Sequence, residues 1–204
     1  ASIDRCIAYV KEHCPQFKNI IVCDTLEECC KDADIMTIAV STPTGGHTNY
    51  PFIQREWLKP GCLVCAPGAV DFPDELVCDP KVKLVVDNKK LYEAWAEEYP
   101  YPTFDKMFLL GDKFTDLDHD GKLDWGVVQN IGAIANGKVP GRESDDQIIL
   151  YSRTAKDSSG VGRRDSNRRT GMPLAAMTQA ACRANSWELF RQSKQMAMPC
   201  LAAS

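Results

Sequence analysis

The chain has 204 residues, of which 44% are hydrophobic and 25% charged, the make-up of an ordinary globular protein with one sizeable core or two small ones, so collagen and extended disorder are excluded. No run approaches the roughly 18 apolar residues of a spanning helix, and Ala1-Ser2-Ile3-Asp4-Arg5 lacks the basic-then-apolar order of a secretory signal, so no membrane partner and a cytoplasmic location are expected. The formal charge of −4 hides an asymmetry: residues 153–204 carry nine Lys and Arg against three acids, a balance of +6, which leaves −10 on residues 1–152 and argues against binding of nucleic acid by the main body.

In chain order, Ile3, Cys6, Ile7, Val10 and Cys14 fall on one helical face, with Ser2 placed to cap it and Pro15 to stop it. Residues 20–23 read as a strand, and Thr25-Leu26-Glu27-Glu28 as a capping box that starts a short helix. Strands are expected at 35–40, 62–66 (after the turn Lys59-Pro60-Gly61), 83–86 and 148–151. Helices are expected at 89–98, 108–117 and 125–135, the last stopped by Asn136-Gly137. The strand runs are continuously apolar, as in sheets covered on both faces, so the leading fold is α/β with a doubly wound, mostly parallel sheet. Beyond residue 152 the hydrophobic period is lost, and residues 153–204 read as an irregular basic tail.

Ten cysteines without a signal peptide read as reduced, mostly buried thiols, including those of Cys62-Leu63-Val64-Cys65, whose redox or zinc spacing has no second half. Val64-Cys65-Ala66-Pro67-Gly68-Ala69-Val70-Asp71 is an apolar strand that runs into small residues and then presents one carboxylate, where an open α/β sheet places its ligands. Asp71 as a turn cap is the structural alternative. Val40-Ser41-Thr42-Pro43-Thr44-Gly45-Gly46 ends the preceding strand with hydroxyls and glycines suited to a ribose or phosphate, or simply to a turn. Asp116-Leu117-Asp118-His119-Asp120-Gly121 opens like a calcium loop, but Val127 stands where the closing Glu belongs, so no metal is expected.

Together, Ala33-Asp34-Ile35, Glu56-Trp57-Leu58-Lys59-Pro60-Gly61, the 68–73 segment with Asp71, and Gly141-Arg142 followed by Ser144-Asp145-Asp146 and Ile148 resemble the ornithine cyclodeaminase and mu-crystallin family over roughly residues 2–152. Within it, residues 2–25 and the run from Asp87 to Phe104 are similar to a subgroup that takes its name from a tyramine oxidase. The resemblance implies an NAD-binding, Rossmann-like domain at 1–152, hydride transfer on an amino-acid substrate with deamination, and Asp71 as the catalytic residue. It implies nucleotide contacts at Val40, Ser41, Cys65, Ala66, Pro67 and Gly68, with a nicotinamide-side serine at Ser152, in a family that is typically homodimeric. The family's glycine fingerprint, its ribose-binding acid, its substrate-binding Arg and Lys residues and its dimer-forming half correspond to nothing in these 204 residues. The chain therefore reads as a C-terminal fragment with a partial Rossmann-like sheet lacking the first βαβ unit, expected to bind NAD weakly and to turn over nothing alone. A non-catalytic accessory subunit of the same fold is the alternative. Arg163-Arg164-Asp165-Ser166-Asn167, read one base along, can encode Gly-Gly-Ile-Pro-Ile, similar to a family segment at this place, so a shifted reading frame is expected after about residue 152.

Overall fold

A computed structural model describes residues 2–17, 19–40 and 45–154; the tail expectations for 153–204, the shifted frame included, lie almost wholly outside them. The chain opens with helix α1 (Ser2–His13), on whose apolar stripe Ile3, Cys6, Ile7 and Val10 are half-buried. Helix α2 (Leu26–Cys30) starts at the expected capping box: Glu28 N–H donates to Thr25 Oγ1 at 3.2 Å, and Thr25 N–H to Glu28 Oε2 at 3.3 Å.

Five parallel strands follow: β1 (Ile35–Thr37), β2 (Leu63–Ala66), β3 (Lys83–Val86), β4 (Gln129–Asn130) and β5 (Ile149–Ser152). They lie in the order β1-β2-β5-β3-β4, so the last of the described strands enters the middle. In register, Leu150 sits between Val64 and Leu84, and Ser152 between Ala66 and Val86. A central strand is covered on both faces, and Val64, Ala66, Leu84, Val86, Leu150 and Ser152 are all buried. This is the parallel α/β sheet that the apolar runs predict, in the Rossmann-like arrangement that the resemblance implies.

Helices α3 (Asp74–Val77), α4 (Lys89–Glu98), α5 (Phe104–Met107), α6 (Leu110–His119) and α7 (Ile131–Ala135) occupy the connections. Helices α4 and α6 meet where Gly111 faces the ring of Tyr92; a Cβ there would lie 2.4 Å from the ring. The Ser152 hydroxyl closes the corner, 3.0 Å from Tyr92 Oη and accepting from Gly111 N–H at 2.8 Å.

Three expectations fail for physical reasons. Residues 20–23 form no strand; none of the described strands offers them a ladder, and Ile21 and Val22 are left exposed. Residues 125–135 are not one helix. Asp124 Oδ1 takes the N–H of Gly126 and Asn130 Oδ1 that of Gly132, so two local caps break the run into a short 3-10 turn (Trp125–Val127), β4 against β3, and α7. Helix α6 starts two residues later than the pattern places it, because Phe108 adopts the left-handed conformation (φ 59°) that ends α5.

The Lys59-Pro60-Gly61 turn enters β2 through a positive φ of 78° at Gly61, where a Cβ would lie 2.2 Å from Asp145 O. Gly61→Ala is expected to lower unfolding free energy by about 2 kcal/mol or more, read by urea denaturation, since left-handed strain and a backbone clash add.

Candidate functional site

Parallel strands send all their carboxyl ends to one sheet edge, so the segments after β1, β2 and β5 converge there. Gly68 packs against the end of β1: its N–H donates to Ile38 O at 3.0 Å, and a Cβ would meet Val40 O at 2.7 Å. Three residues on, Asp71 is fixed by a bridge to the segment before β2. Asp71 N–H donates to Pro51 O at 2.8 Å and Asp71 O accepts from Ile53 N–H at 3.0 Å.

Only 7% of Asp71 is exposed, and its partner comes from α6. Lys113 Nζ donates to Asp71 Oδ1 at 2.6 Å and to Phe72 O, and stands 3.0 Å from Asp74 Oδ1. Phe72 N–H also donates to Asp71 Oδ1, at 2.7 Å. The chain of charge continues outward: Lys122 Nζ lies 3.0 Å from Asp74 Oδ2 and 3.6 Å from Asp120 Oδ2, and Asp120 Oδ1 accepts from Tyr101 Oη at 2.7 Å. Burial opposes ionisation of Asp74, but the hydrogen bonds from Lys122 and Lys113 outweigh it and hold its carboxyl below the usual range.

Asp71, Asp74, Lys113 and Lys122 share a cleft of about 440 Å³ with Tyr101, Phe104 and His47. His47 and Asp105 form a second pair on this cleft, Nδ1 to Oδ1 2.6 Å. Backbone and side-chain hydrogen bonds from His47 hold Asp105 below the usual carboxylate range despite partial burial.

Of the nucleotide-contact residues inferred from the resemblance, Val40, Cys65, Ala66, Pro67, Gly68 and Ser152 lie together at the carboxyl ends of β1, β2 and β5. Val40, Cys65 and Pro67 are half-buried, Ala66, Gly68 and Ser152 buried; Ser41 lies outside the described residues. Small side chains at Ala66 and Gly68 fit the approach of a flat ring to the backbone. Among the described residues no glycine-rich turn leads a strand into a helix to take a pyrophosphate. The three carboxylates of the calcium-like motif serve separate partners: Asp116 takes the N–H groups of Thr103 and Phe104, Asp118 that of Trp125, and Asp120 the Tyr101 hydroxyl. Burial pushes the Cys62 thiol up to about 12, as suits a core cysteine rather than a nucleophile. Lys113 escapes the sequence pattern, although a lone cation on the face of α6 that carries Leu110, Phe114 and Leu117 is the available signal.

Two sets of variants test this electrostatic layout. Lys113→Met leaves Asp71 buried without its counter-charge and is expected to destabilise by about 3 kcal/mol. Asp71→Asn leaves Lys113 with Asp74 and Phe72 O and is expected to be clearly milder, both read by thermal unfolding. The second set concerns Asp112, whose Oδ1 is buried without a hydrogen bond among the described residues while Oδ2 accepts from Leu109 N–H at 3.0 Å. Burial raises its carboxyl from the ordinary 3.8 to about 8. Between those values the folded chain keeps a proton that the unfolded chain releases, so stability falls as pH rises through the window, by up to about 1.4 kcal/mol per pH unit. Asp112→Asn is expected to flatten that slope in denaturation curves, gaining stability at pH 8 and changing little at pH 4.

A profile of the ornithine cyclodeaminase/mu-crystallin family matches residues 1–160. No curated protein matches. Among solved structures, a Thermococcus litoralis Δ1-pyrroline-2-carboxylate reductase in complex with NADH and L-proline is similar at 20% identity and a TM-score of 0.45, over 65% of this chain and 36% of that one. An archaeal alanine dehydrogenase dimer with bound NAD is similar at 16% identity and a TM-score of 0.48, over 93% and 46%. The iminosuccinate reductase of Paracoccus denitrificans in complex with NAD+ is similar at 17% and 0.43, over 78% and 39%. The chain thus spans less than half the length of these proteins. Among the described residues no helix is long and apolar enough to cross a membrane.

Proposed function

Because the chain belongs to the ornithine cyclodeaminase/mu-crystallin family, we propose that it is the cleft-bearing part of an NAD-dependent enzyme that acts on an amino acid by hydride transfer and deamination, with Asp71 as its acid/base residue. The observation that carries this reading is Asp71 itself, 7% exposed, bridged to residues 51–53 and salt-bridged to Lys113 at the carboxyl edge of the sheet.

NAD, when bound, supplies the hydride acceptor. Val40, Cys65, Ala66, Pro67 and Gly68, with Ser41, would hold it near the strand ends. Ser152 would act from behind, since its hydroxyl is engaged by Tyr92 and Gly111. An amino acid enters as its ammonium form, which cannot release hydride from Cα until one N–H proton has left. Asp71 takes that proton, and Lys113 supplies the charge that faces the carboxylate. Phe52 and Phe104 give the same cleft an apolar wall. The alternating cations and carboxylates beyond Lys113 orient a zwitterion by its two ends. A cytoplasmic setting fits both the reagents and the reduced thiols. The likeness to the tyramine oxidase subgroup rests on residues 2–25 and 87–104, which lie largely outside the cleft and leave the choice of amino acid to its lining.

An accessory subunit of the same fold is the second reading, supported by how completely Lys113 and Phe72 already engage Asp71. The test is Asp71→Asn in the longest expressible form of the protein. A fall in amino-acid-dependent NADH formation of about 10²- to 10⁴-fold, with NADH affinity kept within a few-fold, is expected. Unchanged turnover refutes the role of Asp71, and a wild type that neither binds NADH nor forms it leaves the accessory reading standing.

A further inference from the structure

His47 and Asp105 are joined twice, and the pair sits where His47 opens onto the cleft. His47 N–H donates to Asp105 Oδ1 at 2.9 Å, and Nδ1 approaches the same oxygen at 2.6 Å. A carboxylate only accepts, so the ring carries a proton on Nδ1, which in the neutral imidazole leaves the lone pair on Nε2. The approach depends on two left-handed glycines, Gly45 (φ 98°) and Gly46 (φ 85°); a Cβ on Gly46 would lie 2.8 Å from Asp105 Oδ1. Asp105 is held in turn, since Asp116 takes the N–H groups of Thr103 and Phe104 at 2.9 and 2.8 Å and so anchors the start of α5. The His47 side chain remains 45% exposed on the cleft, and its segment runs into the 51–53 bridge to Asp71.

We propose that His47, oriented by Asp105, is a second proton-transfer residue of the Asp71 cleft and serves the release of ammonia. The proposal rests on the reading of the cleft as an amino-acid deaminating site. Once hydride has left, the substrate is an iminium ion. Water attacks its carbon: the C–O bond forms, the C=N π pair moves to nitrogen, and Nε2 takes the proton lost by the water. The imidazolium then returns that proton to the amine nitrogen; as the C–N bond breaks, the freed Nε2 takes the hydroxyl proton while the O–H electron pair becomes the C=O π bond, so ammonia leaves with the carbonyl product and the proton passes from the ring to solvent. Asp71 handles the earlier proton of the ammonium group, so the two residues divide the work. The charged groups around the ring are Asp105 and Lys106 on α5; Asp71, Asp74 and Glu75 beyond β2; and Lys113, Asp116, Asp120 and Lys122 on and after α6.

His47→Asn is the discriminating variant, because its amide keeps a donor for Asp105 where Nδ1 stood and has no base in place of Nε2. In the full-length protein with an amino acid that the wild type oxidises, it is expected to keep its melting temperature and its single-turnover NADH burst, while steady-state ammonia release falls at least 100-fold and loses its acid limb. Equal ammonia release in His47→Asn and wild type overturns the proposal. Independently of any activity, 15N NMR of the ring, one of three histidines, is expected to show the Nδ1–H form, shifting toward Nε2–H in Asp105→Asn. A wild-type Nε2–H ring overturns the dyad. A wild type that forms no NADH with any amino acid refutes the parent reading instead, and the tautomer then decides the dyad alone.

Discussion

The entry of β5 between β2 and β3 is the constraint on which the rest of the molecule depends. A strand with parallel neighbours on both sides must satisfy its ladder twice and be covered on two faces, so Leu150 is buried between Val64 and Leu84. The same register brings Ser152 level with Ala66 and Val86, where its hydroxyl ties α4 and α6 together through Tyr92 and Gly111. Once α6 is pinned at Gly111, Lys113 follows two residues later and meets Asp71. The buried ion pair is thus a consequence of strand order, and β5, the last of the described strands, positions a residue from the middle of the chain.

That ion pair is unequal by construction. Lys113 has three acceptors in Asp71, Phe72 O and Asp74, whereas the only other donor to the Asp71 carboxylate among the described residues is the N–H of Phe72. Losing one partner of a buried pair matters most for the group left with fewest alternatives. Asp74 and Phe72 O would continue to hold Lys113 if Asp71 were replaced, whereas Asp71 has no second cation among the described residues.

Much of the fold is legible in local chemistry. The Thr25–Glu28 capping box and helix α4 follow from residues that satisfy one another within a few positions, and β3 from a continuously apolar run. The failures arise where a partner lies far away or a local cap intervenes. Ile20 to Cys23 has strand composition, but composition cannot supply a neighbour. Asp124 and Asn130 each divert a backbone N–H that a helix at 125–135 would have used. In the site, Asp71 is visible because a carboxylate after an apolar strand and small residues is unusual in itself. Its closest partners are not: Lys113 is 42 positions away and Asp105 is 58 from His47, and only the sheet order brings such separations together.

The cleft also shows how an acidic chain can gather several carboxylates on one wall. Carboxylates crowd its wall at Asp71, Asp74, Asp116 and Asp120, and left alone they would repel one another and draw up protons. Each is instead committed to donors of its own: Asp71 and Asp74 to Lys113, Asp74 and Asp120 to Lys122, and Asp116 to two backbone N–H groups. Burial still raises the Asp116 carboxyl despite its two donors, and Asp112, with one oxygen lacking a donor among the described residues, goes further and retains a proton at neutral pH. The contrast isolates the physical rule of the site. A buried carboxylate here depends on the donors that reach it, so the surroundings of Asp71 are set by the placement of α6 more than by any property of the strand that presents it.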